Sequence, residues 1–217
     1  MTVEISASEP CPEAGAGVDR SPAEQAKRKQ ILDGARATFL ARGFEAASMG
    51  EIARAAGVSK GTLYVYFDSK DALFTALLEE MHSEAAERAQ PLETRDAPPA
   101  EVLRTFALGL ARKLVQPGHV AMLRVVIGAS ERFPDIARSF YRAGPVHGAQ
   151  RLSIYLAAET VEGRLDVPDP DTAAWQFLGL CSHPIVFASL AGMPPPDLEA
   201  HADATVRTFL AAFGPGR

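Results

Sequence analysis

Cysteine is nearly absent from this 217-residue chain: Cys11 lies in a polar stretch and Cys181 inside an apolar run. Two such residues make neither a disulfide framework nor a C-x-x-C metal pair, and a reducing, cytoplasmic setting is the expectation. Runs of alternating apolar and β-branched residues bounded by tight turns are also missing, which excludes a sandwich or barrel. There is no Gly-rich phosphate loop, no G-x-S-x-G and no H-E-x-x-H, so the common hydrolase, nucleotide and metalloenzyme classes lose their chemistry. Cys181 and His183 stand two residues apart, a spacing that points their side chains in different directions on a helix. His147 and His183 lack the spacing of a metal pair, and no cofactor or metal is implied. A basic excess is lacking as well, with 22 Lys and Arg against 27 Asp and Glu. Spread evenly, that balance would argue against a nucleic-acid partner.

It is not spread evenly. Residues 20 to 70 carry Arg20, Lys27, Arg28, Lys29, Arg36, Arg42, Arg54, Lys60 and Lys70 against only Glu24, Asp33, Glu45, Glu51 and Asp68. A basic module is therefore carried on an acidic remainder. Residues 1–20 hold Glu4, Glu9, Glu13, Pro10 and Pro12 without a basic start and apolar stretch, and are expected to form a disordered acidic tail, not a signal peptide. From Thr172 to Pro196 there is no Asp, Glu, Lys or Arg. That length could span a bilayer, but Gln176, Ser182, His183, Pro184 and Ser189 suit a helix buried between protein surfaces better, so no membrane is expected.

What is present reads as all-α. Ser21-Pro22-Ala23-Glu24 supplies a capping residue, a proline for the first turn and a glutamate that can reach back, opening a helix over 22–42 with Ile31, Leu32, Ala35, Phe39 and Leu40 inward and Gly43 as its stop. Ser48-Met49-Gly50-Glu51 opens a short helix, Gly57 breaks it, Ser59 caps a second through Tyr66, and Ser69 caps a long one. Further helices are expected at 99–116, 119–130, 133–143, 145–163, 171–191 and 197–213, separated at Pro117-Gly118, Pro134, Gly144-Pro145, Val167-Pro168 and Pro194-Pro195-Pro196. Domain boundaries follow: the tail to 20, a unit over 21–68 and a second over 69–217.

Residues 48–67, SMGEIARAAGVSKGTLYVYF, have the layout of a helix-turn-helix. Ala53 is small where the helices approach, Gly57 permits the tight turn, and Val58 and Leu63 fill the wedge. Ser59, Lys60, Thr62 and Tyr64 fall on the exposed side of the second helix, a face with one charge and many donors for bases and phosphates. Lys27, Arg28 and Lys29 read as a solvated helix face.

With Phe39 and Gly43-Phe44 ahead, and Asp68-Ser69-Lys70-Asp71-Ala72-Leu73-Phe74 behind, the stretch from about 27 to 74 resembles the DNA-binding domain of the TetR/AcrR family of transcriptional regulators. The ERFPD segment at 131–135 and GRLDVPDPDTAAWQFLGL at 163–180 are similar to the regulatory domain of its AefR-like subgroup. The resemblance implies a helical homodimer with three N-terminal helices for double-stranded operator DNA, the remainder for ligand binding and dimerisation, no enzyme activity, and repression as the common mode. Carried over by position, it implies that Ser48 caps its helix and touches a phosphate. Lys60, Gly61 and Thr62 would meet base edges or backbone, Tyr64 the backbone and a thymine methyl, and Tyr66 and Lys70 phosphates. Val65 departs from relatives that carry a second aromatic there.

For the regulatory half, Phe106, Met122, Phe140, Tyr155, Trp175 and Phe177 are the candidates for a pocket that takes a small hydrophobic effector. The helix at 171–191, uncharged from Thr172 on, and a final helix with Leu198, Ala202, Val206, Phe209, Leu210 and Phe213 on one stripe suggest a four-helix dimer interface. Pro184 is expected to kink the first of these or end it early. A two-fold dimer would set its reading helices roughly 34 Å apart and favour a near-palindromic operator.

Overall fold

The computed structural model describes residues 21–88, 92 and 97–215, so the 1–20 tail lies outside the described residues. Among the described residues every regular element is helical: α1 (Pro22–Ala46), α2 (Met49–Ala55), α3 (Lys60–Tyr66), α4 (Lys70–Arg88), α5 (Pro99–Leu114), α6 (Pro117–Ala129), α7 (Pro134–Tyr141), a π turn (Arg142–Val146), α8 (His147–Val161), α9 (Pro170–Ala191) and α10 (Leu198–Phe213). Proline opens α1, α5, α6, α7 and α9, where its fixed φ suits the first turn and its missing N–H costs nothing.

Two large core clusters organise the described residues, with a small third one at Ala111, Leu114 and Ile185. In the first, α1, α2, α3 and the start of α4 close over Ile31, Leu32, Phe39, Ile52, Leu63 and Phe74, all excluded from solvent. Phe39 and Phe74 meet edge to face at 4.9 Å, and Phe44 and Phe74 at 5.2 Å. Met122, Val126, Ala129 and Ile136 of α6 and α7 join this same cluster, so the reading unit and the rest of the chain share one core. In the second, α5 and α8–α10 enclose Leu103, Leu152, Leu156, Phe177 and Phe209. Phe177 packs edge to face on Phe209 at 5.0 Å. The buried Glu159 is matched by Arg164, whose Nε and Nη2 donate to its two oxygens at 2.6 and 2.7 Å. That fork supplies the pairing a buried carboxylate requires.

The expected break at Gly43 occurs: φ 76° and ψ 171° are non-helical, and only a short helical turn follows to Ala46. Two other expected breaks do not end their helices. At Gly144-Pro145 the chain stays helical, because the turn widens: the His147 N–H reaches back five residues to the Arg142 carbonyl, and the donor Pro145 lacks is absorbed in a π turn. Pro184 sits inside α9, which continues to Ala191 before Gly192 ends it at φ 72°. There Pro184 is on the exposed side, where water can satisfy the carbonyl its ring leaves unpaired. α9 has the length and composition to cross a membrane, yet Ala173, Ala174, Phe177, Leu178, Cys181 and Ile185 form a face buried in protein.

Candidate nucleic-acid interface

The reading unit is held by reciprocal caps. Ser48 Oγ accepts from the Glu51 N–H at 3.3 Å, and Glu51 Oε2 accepts from the Ser48 N–H at 3.1 Å and from its hydroxyl at 2.9 Å. Glu51 Oε1 pairs with Arg42 of α1 at 3.0 Å, and these contacts, the Ser48 hydroxyl foremost, hold its carboxyl below the ordinary range. Gly57 turns the chain at φ 64°, and the Val58 N–H returns to the Ala53 carbonyl at 2.9 Å. Ser59 Oγ then caps α3, accepting from the Thr62 N–H at 3.0 Å and lying 2.8 Å from the Thr62 hydroxyl.

At about 100° per residue a seven-residue helix has two distinct sides. Leu63 is fully buried in α3, and Thr62 and Tyr66 are half-buried at its flanks. Lys60, Gly61, Tyr64 and Val65 share the opposite face and are exposed, Tyr64 by 50% and Val65 by 82%. The Lys60 side chain lies across Gly50 of α2, where a Cβ would come within 2.7 Å of its Cε and 3.1 Å of its Nζ, so the ammonium sits over the start of α2. Gly61 is exposed, and a Cβ there would meet only the Ser59 hydroxyl at 3.7 Å, so the bare backbone can be approached closely. The surface offers one cation, one phenol and one aliphatic side chain, a set that can contact phosphates, base edges and thymine methyl groups.

Other sequence candidates fall elsewhere. Ser48 spends its hydroxyl donor on Glu51. Lys70 Nζ donates to the backbone carbonyls of Phe44, Glu45 and Ala47 at 2.8, 3.1 and 3.0 Å, which engages all three donors of its ammonium. In the basic run, Lys27 donates to Gln30 at 2.9 Å, Lys29 lies 3.7 Å from Asp33, and Arg28 stacks over Phe67 at 5.5 Å.

The six pocket candidates do not surround one cavity. Met122 is fully buried in the first cluster with Phe140 against it; Tyr155 and Phe177 belong to the second, with Phe106 packed on that cluster. Trp175 is 39% exposed and stacks on Tyr141, ring centroids 5.8 Å apart. Phe177 is filled in from both sides, by Phe209 and by Phe106 at 6.2 Å, and is core. An open groove of about 750 Å³ lies instead between α9 and α10, lined by Leu180, His183, Pro184, His201, Ala212 and Phe213. Cys181 is sealed beneath it, its thiol pushed up to about 12 by burial, while His183 is exposed and packs on Phe187; the two form no nucleophile and base.

Two family models match this chain. The N-terminal model of the bacterial tetR regulatory proteins covers residues 31–77, and the C-terminal domain of AefR-like transcriptional repressors covers 101–215. The chain belongs to the TetR family. This is a family of transcriptional regulators, not of enzymes. An HTH-type transcriptional repressor of Mycobacterium tuberculosis is 46% identical over 55 residues, but the match covers only 25% of this chain and 29% of that one. The regulator RutR of Escherichia coli is 28% identical over 190 residues, 87% of this chain and 84% of its own. The solved structure of the flavonoid-responsive regulator FrrA is 35% identical, superposes with a TM-score of 0.79, and is matched over 89% of this chain and 100% of its own.

In this TetR-family chain the reading unit depends on residues that sequence reasoning passed over. Gln30 Nε2 donates to the Ala56 carbonyl at 2.6 Å, tying α1 to the end of α2. Gly34 lets that same corner come close, since a Cβ there would stand 2.6 Å from the Ala56 Cβ. A glycine on the buried stripe of a long helix was the available signal. Val65, set aside as a departure, has the most exposed apolar side chain of α3.

Proposed function

We propose that this chain is a ligand-released repressor that grips a near-palindromic operator as a homodimer. The exposed Lys60, Gly61, Tyr64 and Val65 face of α3 carries the reading, because a short helix locked from behind that presents a cation, a phenol, a bare backbone and an isopropyl group suits a DNA groove better than a protein partner. Lys60, Gly61 and Thr62 meet base edges or backbone, Tyr64 a thymine methyl or the sugar-phosphate chain, and Tyr66 a phosphate. Ser48 and Ser59 orient the two helices by capping them, and a phosphate contact from Ser48 requires its hydroxyl to turn away from Glu51. Residues 21–68 form the reading domain, and 69–217 bind effector and dimerise.

The dimer forms through α9 and α10. Leu180, His183, Pro184 and Phe187 leave one side of α9 exposed without a charged residue, and a second copy laid across the α9–α10 groove would cover it. The effector is a small, mostly apolar molecule; the likeness to FrrA, a flavonoid-responsive regulator, supports a flavonoid-like aromatic. The protein acts in the cytoplasm.

A gel-shift of the full chain with its own upstream intergenic DNA tests this reading. A retarded species that disappears on adding flavone is expected. A chain that retards no specific duplex contradicts the DNA reading, and a complex indifferent to flavone contradicts the choice of effector.

A further inference from the structure

The inner stripe of α8 runs Leu152, Tyr155, Leu156, Glu159. Tyr155 is 7% exposed, and among the described residues its hydroxyl is the one buried side-chain polar atom without a hydrogen-bond partner. Native interiors leave few such groups, and each calls for a cause. Glu159, one turn on along the same stripe, is engaged by the Arg164 fork. Burial, and after it the Glu159 charge, keep the phenol protonated well above its usual range. The group is therefore a donor under all ordinary conditions, and what it lacks is an acceptor.

Its surroundings restrict what that acceptor belongs to. Leu152, Leu156 and Phe177 are buried in the same cluster, Phe106 packs on it, and Glu159 and Arg164 cancel each other's charge. A charged ligand would gain nothing there and would lose its hydration. A neutral molecule with one well-placed oxygen loses little and satisfies the phenol.

We propose that the Tyr155 hydroxyl anchors the effector, and that the effector is a neutral, largely apolar molecule presenting an acceptor oxygen such as a ring ketone. This rests on the effector reading above and adds the anchoring residue and the chemical group it recognises.

A cycle of ligands against variants tests it on the full chain. Flavone carries a ring ketone; flavan has the same ring system without it. Wild type should bind flavone about tenfold more tightly than flavan by calorimetric titration, the ratio expected for one buried hydrogen bond. Tyr155→Phe should bind both equally, and its unliganded thermal midpoint should match or exceed that of wild type, because the variant removes a group with nothing to bond. A variant that still prefers flavone overturns the anchor and leaves the effector reading standing. A lowered unliganded midpoint reveals a structural partner for the hydroxyl and also overturns it. Wild-type protein that binds neither compound overturns both readings.

Discussion

The Lys70 ammonium lies 4.6 Å above the Phe44 ring and donates to the backbone carbonyl of that same residue at 2.8 Å. Phe133, in the connection between α6 and α7, closes on the other part of that ring edge to face at 5.0 Å, and Arg132 pairs with Glu45 beside it. The end of α1, from which α2 and α3 continue, is thus gripped by α4 and by the regulatory half together.

Lys70→Met should therefore behave as a stability variant. Three charge-assisted bonds to orphan carbonyls at a helix end are lost, at a cost of about 2 kcal/mol. Urea unfolding measures this. The salt dependence of DNA affinity should not change, whereas Lys60→Ala should reduce the slope by about one. A flattened slope for Lys70→Met would assign it the phosphate role instead.

Val65 projects an uncovered isopropyl group from the reading face. Val65→Ala should weaken operator binding by about 1 kcal/mol, and mostly at one base pair, because an apolar contact of this kind discriminates through the thymine methyl. Replacing single thymines by deoxyuridine in each half-site locates it: wild type should lose affinity at one position, and the variant should be blind to the change there.

His119, near the start of α6, has its pKa lowered to about 4 by burial and by the charge of Lys113, against 6.5 for a free imidazole. The unfolded chain takes up the proton near pH 6.5 while the folded one refuses it until about pH 4. Unfolding is therefore favoured on acidification. Stability should be greatest above pH 6.5 and fall between there and pH 4, by at most about 3 kcal/mol from this residue. In His119→Gln that part of the pH profile should flatten, as followed by urea midpoints.

The dimer face can be probed without disturbing the core. Phe187 is 63% exposed on α9, so Phe187→Glu should leave the protomer folded and yield monomers in sedimentation. Phe209, which its place in the apolar pattern of α10 also makes a candidate, is only 2% exposed and wedged on Phe177; a charge there should unfold the chain.

Local chemistry was readable from the sequence because it acts over a few residues. Both capping boxes, the turn at Gly57 and the proline-led start of α1 depend on neighbours three or four positions away, and they form where expected, whereas Pro117, Pro134 and Pro170, expected as separators, open helices instead. The role of Lys70 was not readable, since its three acceptors lie 23 to 26 residues upstream. Nor was the fate of Pro145, because a proline signals a break without telling whether the turn will widen to absorb it. Periodicity marked Met122, Phe140, Phe106, Tyr155 and Phe177 as inward-facing but carried no information on which of two cores each would enter.

Hydroxyl-radical footprinting of the full chain on its upstream intergenic DNA tests the central claim most directly. Two protected patches of equal strength, centred roughly 34 Å apart along one face of the duplex, are the expected result for a pair of α3 helices in successive major grooves. A single patch, or uniform cleavage throughout, would contradict the account.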